Sequence, residues 1–224
     1  NRVIPPGGYS PPGGTPIQNK KPTKPIHDIN KIISVVSVPS LIRTAKMRQV
    51  ISLASFPEPM VIVIHEGLVA AYRNSDQLLL SYFQGPLIVG INEFSELNNF
   101  FLYKAYSEVR YEIQPRKEVL EKIDNASLWR ETTYLFMYAL KRFSEVYQNS
   151  AGLSTYELIR INLNALMEEE EELRLSINVS DYIQDKTRLS RSRVMKILSD
   201  LREGDFIEVK RGILLKVNKL PANY

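Results

Sequence analysis

"DKTRLSRSRVMKILSDLREGDFIEVKRG", residues 185–212, decides the architecture of the C-terminal third of the chain. Lys186, Arg188, Arg191, Arg193 and Lys196 fall within eleven positions that hold no acidic residue. A helical period runs through the same stretch. Val194, Ile197, Leu198 and Leu201 recur at i, i+3, i+4 and i+7, which predicts one buried face. That face sends Ser192, Lys196 and Ser199 to the opposite side, with Met195 beside them and Arg191 and Arg193 at the helix start. Ser190 stands at the expected N-cap. Upstream, "NVSDYIQDKT" (178–187) predicts a shorter helix with Val179, Tyr182 and Ile183 inward, followed by a turn at Arg188–Leu189. Downstream, "DFIEVKRGILLKV" (205–217) predicts two strands joined at Lys210–Arg211–Gly212, where Gly212 supplies the positive φ of a hairpin turn.

A helix pair with a basic, hydroxyl-bearing second helix and a cationic hairpin reads as a winged helix-turn-helix, whose second helix enters the major groove. The alternative is a winged-helix adaptor acting through protein–protein contacts. Clustering of cations on both helix and wing favours nucleic acid.

Composition narrows the remaining classes. The chain has 224 residues, net charge +4 and a pI near 9.1, so a polyanion partner is allowed. The excess is local: from Lys186 onward ten Lys/Arg face only Asp200, Glu203, Asp205 and Glu208. With no cysteine, disulfides, thiolate zinc sites and cysteine-ligated iron–sulfur clusters are excluded. No apolar run approaches the roughly 18–20 residues of a membrane span. These features give the expectation of a soluble cytoplasmic protein with no membrane partner. His27 and His65 are isolated, and the run Glu168–Glu172 reads as a solvated helix end, so no metal or cofactor is expected. No nucleophile–base constellation or phosphate loop is present, and an enzyme is not expected.

Residues 1–25, with PPGG twice, predict a flexible arm. Residues 26–115 hold short β-rich runs: "KIISVVSV", "QVISLA", "MVIVIHEGLVAAY", "LLLSYF", "PLIVGI" and "FFLYKAYSEVRYEI". They predict a small sandwich or barrel, with "HEG" as a tight connection between paired strands. Residues 116–149 form a helical linker and a long helix carrying two apolar stripes. One is Trp129, Phe136, Leu140, Phe143 and Tyr147; the other is Leu128, Leu135, Ala139 and Val146. Two stripes need two covers, and a second copy of the chain is one candidate. "NSAGLS" (149–154) is a hinge-like break, after which Ser154 and Glu157 form a capping box opening residues 150–224.

A barrel, a long apolar helix, a hinge and a winged helix in this order resemble the cyclic-AMP receptor and fumarate–nitrate regulator superfamily. Within it the chain looks closest to the inhibitor of hydrogen peroxide resistance (IprA-type) regulators. The carriers are "LWRE" (128–131), "IR" (159–160), "EELR" (171–174), "YIQDKTRLSRSRV" (182–194) and "LPANY" (220–224). The resemblance implies an α+β fold: a cyclic-nucleotide-binding-like β-barrel (jelly roll), a dimerisation helix and a winged helix-turn-helix. It implies a homodimeric transcription regulator of double-stranded DNA, with RNA polymerase as a further partner and oxidative-stress genes as targets. The superfamily's base-reading pair falls on Arg191 and Lys196, flanked by Ser192 and Met195. Lys186, Thr187, Arg188, Ser190, Arg193, Lys210 and Arg211 are assigned to phosphate. The cyclic-nucleotide positions fall on Gly90–Ile91 and Asn98–Asn99, which lack the ribose acceptor and the phosphate cation. A degenerate pocket, unresponsive to cyclic AMP and of unknown effector, is expected.

Overall fold

The computed structural model describes residues 23–91, 100–148 and 153–222, with backbone alone for 145–148. The arm to residue 22, Asn98–Asn99, residues 149–152 of the hinge-like break and the side chains of Val146 and Tyr147 lie outside the described residues.

Among the described residues, eight strands form two antiparallel four-stranded sheets. One has the order β1 (Arg43–Ala45), β8 (Val109–Pro115), β3 (Met60–Glu66), β6 (Leu87–Val89). The other has β2 (Val50–Ile51), β7 (Phe101–Ala105), β4 (Leu68–Arg73), β5 (Leu78–Gln84). Met60, Ile62 and Ile64 of the first sheet meet Val69, Ala71 and Tyr103 of the second, and this is the sandwich interior. The outer faces are covered as well, which explains the unbroken apolar run "MVIVI". Val61 and Val63 point away from the interior and pack under helices, so β3 is buried on both sides and no alternation is needed. The architecture is the expected jelly-roll type, but the sheets are not closed into a barrel. No strand of one sheet pairs with a strand of the other among the described residues.

Two local expectations are corrected. "KIISVVSV" is no strand: its first six residues end helix α1 (Ile26–Val36), and Ser37 caps it. Ile29, Ile32, Ile33 and Val36 recur at helical spacing and insert against Val61, Val63 and Leu87. Its β-branched residues suggested a strand, and burial of one face overrides that local preference. Each fully buried Ile there contributes about 1.5–3 kcal/mol. "HEG" does not join paired strands either. It carries the chain from β3 in one sheet to β4 in the other, at a point where a Cβ on Gly67 would lie 2.2 Å from the Glu108 carbonyl oxygen. Only glycine allows that approach.

A buried polar cluster fastens α1. The Glu112 carboxylate on β8 accepts bonds from the Ser37 hydroxyl, the Val38 amide (2.8 Å) and Gln114 Nε2 (2.7 Å), and lies 2.6 Å from His65 Nε2. After β8 come α2 (Arg116–Asn125) and α3 (Trp129–Gln148), then α4 (Thr155–Met167), α5 (Glu171–Ser176), α6 (Val179–Thr187), α7 (Arg191–Glu203) and the hairpin β9 (Ile207–Lys210) with β10 (Ile213–Val217). The capping box at α4 is present: Glu157 N donates to Ser154 Oγ (3.2 Å) and Ser154 N to Glu157 Oε2 (2.8 Å). The core of these last elements is continuous with Leu68, Ala70, Leu79 and Tyr82 on the outer face of the second sheet.

Candidate nucleic-acid interface

Helix α6 is capped by the Asn178 side chain, which accepts the Ser180 and Asp181 amides at 3.0 and 3.3 Å. It buries Val179, Tyr182 and Ile183 as the spacing requires. Arg188 ends it in a left-handed conformation (φ 61°), the position where helix-turn-helix units commonly carry glycine. Helix α7 buries Val194, Ile197, Leu198 and Leu201. Ser190 occupies its N-cap position, but its hydroxyl makes no capping bond and lies 3.3 Å from Ser192 Oγ instead. The amides at the start of α7 are therefore not consumed by the cap side chain. Arg191, Ser192, Arg193, Met195 and Lys196 are all exposed.

The wing is joined by a two-residue turn in which Arg211 (φ 52°) and Gly212 (φ 81°) are both left-handed, the type I′ requirement, with Ile213 paired to Lys210. The Gly212 carbonyl accepts the Val179 amide at 2.8 Å, so the wing rests on the start of α6. Between α7 and the wing runs a groove whose walls include Arg191, Lys196, Arg202 and Arg211 together with Ser192, Met195 and Ser199, and, among the described residues, no acidic side chain. No ion pair engages Arg191, Arg193, Lys196, Lys210 or Arg211 among the described residues. The four cations lining this groove beside α7 can accept a polyanion without first breaking an internal ion pair among the described residues.

The remaining candidates sit elsewhere. Arg193 lines a shallow pocket with Ser154 at the start of α4. Thr187 donates its hydroxyl to the Ile183 carbonyl (2.6 Å) and accepts the Leu189 amide, closing the turn. Lys186 faces the sandwich, where its Nζ donates to the Leu80 carbonyl at 2.7 Å. Arg188 lies close enough to Asp76, in the β4–β5 turn, to help lower that carboxyl to about 2, behind the larger effect of the Arg73 hydrogen bond.

A cavity of about 280 Å³ lies between the second sheet, β6 and α3. Gly90 lines it in a left-handed conformation (φ 88°), whereas Ile91 is buried in the cluster beneath α1. Its walls are mostly apolar: Phe83, Leu87, Ile88, Phe101 and Leu135 among them. Among the described residues the cation at its edge is Arg142 of α3, whose Nη2 donates to Ser81 Oγ at 2.7 Å. Sequence reasoning missed Arg142. The signal was its place one turn after Ala139 and two after Leu135, where a charge interrupts an apolar stripe.

On α3 the two stripes separate. Leu128 and Leu135 are buried in the chain's own core, and Phe136 packs partly against it. Met137, Leu140 and Phe143 are 61%, 66% and 64% exposed, with Trp129 and Tyr134 also open. The exposed stripe thus keeps Trp129, Leu140 and Phe143, adds Tyr134 and Met137, and turns Phe136 inward. No helix is long and apolar enough to cross a membrane, and no cluster of three or more metal-ligating side chains occurs, among the described residues.

Comparison with known proteins agrees with this geometry. The family described as winged helix-turn-helix DNA binding matches residues 155–222. The inhibitor of hydrogen peroxide resistance of Escherichia coli K12 is 32% identical over 180 residues, 79% of this chain and 86% of that protein. Its Salmonella typhimurium counterpart is 33% identical over 72% of this chain and 78% of that one. Among solved structures, the c-di-GMP responsive global regulator CLP of Xanthomonas campestris superposes with a TM-score of 0.67 at 15% identity, covering 86% of this chain and 99% of that one. A CRP-family transcriptional regulator of Thermus thermophilus gives 0.55 at 15% identity, covering 79% and 92%. The fold is that of the CRP-type regulators, and the chain belongs to the family of the inhibitor of hydrogen peroxide resistance.

Proposed function

We propose that the protein is a DNA-binding transcription regulator that grips operator DNA as a homodimer through its winged helices. The observation carrying this reading is the groove between α7 and the wing, lined by Arg191, Lys196, Arg202 and Arg211 with no acidic side chain among the described residues. Arg191, Ser192, Met195 and Lys196 face base edges. Ser190, Arg193, Lys210 and Arg211 hold the phosphates. Residues 26–115 form the sensor-like domain, 116–149 the helical linker and dimerisation helix, and 150–224 the reading head. The exposed stripe of Met137, Leu140 and Phe143 is the surface that a second copy covers. Regulation from a bound operator makes RNA polymerase the expected further partner, in the cytoplasm. The names of the relatives support oxidative-stress genes as targets.

The cavity does not serve cyclic AMP. Its lining among the described residues is mostly apolar, and Arg142 is engaged with Ser81, so a ribose–phosphate would find few partners among them.

The test is binding to random duplex DNA across a salt series, followed by selection from a randomised pool. Affinity should fall steeply with salt, with a slope near 0.9 per phosphate neutralised, and selection should return a two-fold symmetric site. Salt-independent or absent binding would leave the protein-contact adaptor as the better reading.

A further inference from the structure

Lys186 was expected at phosphate, yet it is bound to the sandwich. Helix α6 docks by its C-terminal half on the outer face of β5. The Tyr182 ring lies nearly parallel to that of Tyr82 (12° between planes, centroids 6.3 Å), and Tyr106 meets Tyr82 edge-on at 5.2 Å. Lys186 Nζ reaches the Leu80 carbonyl at 2.7 Å and lies 5.8 Å from the Tyr182 ring centroid. The register of β4 and β5 shifts here. Ala71 opposes Ser81 and Tyr72 opposes Leu79, so Leu80 is skipped and its carbonyl is taken by Lys186. From the opposite side, Arg142 of α3 donates to Ser81 Oγ at 2.7 Å and lies 3.5 Å from the Tyr82 carbonyl. Three consecutive residues of β5 are therefore held by α3 on one side and by α6 on the other.

We propose that Leu80–Tyr82 of β5 is an orientation latch: through Lys186 and Tyr182 it fixes the angle at which the winged helix is presented from the sandwich and α3. The proposal rests on the DNA-binding reading, because its consequence is felt when two heads must meet two half-sites. Half-sites lie about 34–36 Å apart, or multiples of that. A head already held at the right angle loses less orientational freedom on binding than a loose one. Lys186 and Tyr82 are then positioning residues, contributing nothing to a single head on a single half-site.

The experiment uses the full chain and two variants, Lys186→Met and Tyr82→Ala, on the selected operator and on a duplex with one half-site. Both variants should bind the paired site about tenfold more weakly, with single-site affinity and salt slope unchanged. The chain has no native cysteine, so spin labels enter cleanly at Lys46→Cys and Lys216→Cys. In protein diluted with unlabelled chain, the distance distribution should be narrow for the parent and broad for both variants. If Lys186→Met weakens the single site and lowers the salt slope by about one unit, Lys186 is a phosphate contact and the latch is wrong. Unchanged distances in both variants would also overturn it. Absence of DNA binding by the parent would reject the regulator reading instead, and the label distances would still decide the latch.

Discussion

Asn178 and Gly212 bind the wing to the helix pair at one point. The Gly212 carbonyl accepts the amide of Val179, the residue after Asn178, and any Cβ on residue 212 would fall 2.4 Å from Asn178 Nδ2. The same Asn178 side chain caps α6 through its oxygen. Gly212→Ala should therefore displace the cap as well as strain a left-handed position (φ 81°). A loss of about 1–3 kcal/mol is expected in thermal or denaturant unfolding. An unchanged midpoint would mean that the wing is not anchored there.

Arg211 sits beside it in a left-handed conformation that Asn tolerates better, and a bulky L-residue there costs about 1–2 kcal/mol. Arg211→Asn should raise stability by up to about 1 kcal/mol while lowering DNA affinity equally for all sequences. Calorimetric unfolding and titration of two unrelated duplexes check both halves. A variant that gains stability and keeps its affinity would remove Arg211 from the phosphate contacts.

Much of the winged helix was legible because its period is unambiguous. Val194, Ile197, Leu198 and Leu201 leave one arrangement for α7, and Lys210–Arg211–Gly212 marks the wing. What failed failed locally. In "KIISVVSV" the β-branched content pointed to a strand, while the spacing of Ile29, Ile32, Ile33 and Val36 recorded the helix. The side on which Lys186 lies was invisible, because nothing in its own helix says that β5 covers it. Arg142 left a trace in its own helix, a charge within an apolar stripe, but the cavity it borders is assembled from strands distant in sequence.

Glu112 makes stability depend on pH. Burial alone would raise its pKa, but the bonds from Ser37, the Val38 amide and His65 outweigh this and hold it below its ordinary 4.5. A depressed carboxylate stabilises the fold above its unfolded pKa and loses that contribution as pH falls through the folded value. Glu112→Gln should then be less stable than the parent at pH 7 by about 1–3 kcal/mol. The gap should narrow below pH 4.5, as denaturant midpoints at several pH values would reveal. A constant gap would assign the effect to packing.

The proposed dimer can be tested apart from folding along α3. Met137→Asp with Leu140→Asp changes only exposed side chains, so it should give folded monomers by light scattering and circular dichroism. Phe136→Asp reaches into the chain's own core and should lower the unfolding temperature. A dimer that survives the paired substitution would place the interface on another surface.

The sharpest expectation concerns Arg191. The buried face of α7 leaves Arg191 exposed at the helix start and Lys196 exposed further along, both in the wall of the groove. An arginine entering the major groove there can bond guanine O6 and N7 together, worth about 1–3 kcal/mol of discrimination against another base. In the proposed complex Arg211, held at the wing tip by the turn, would meet backbone phosphates, which carry little sequence information. Arg191→Ala should therefore flatten the preference among operator variants. Arg211→Ala should weaken all of them alike and reduce the salt slope by about one unit. Selection from a randomised pool with both variants in parallel measures this directly. If Arg191→Ala recovers the parent's motif with equal stringency, the bases are read by other residues of the groove, with Lys196 and Met195 next to be substituted.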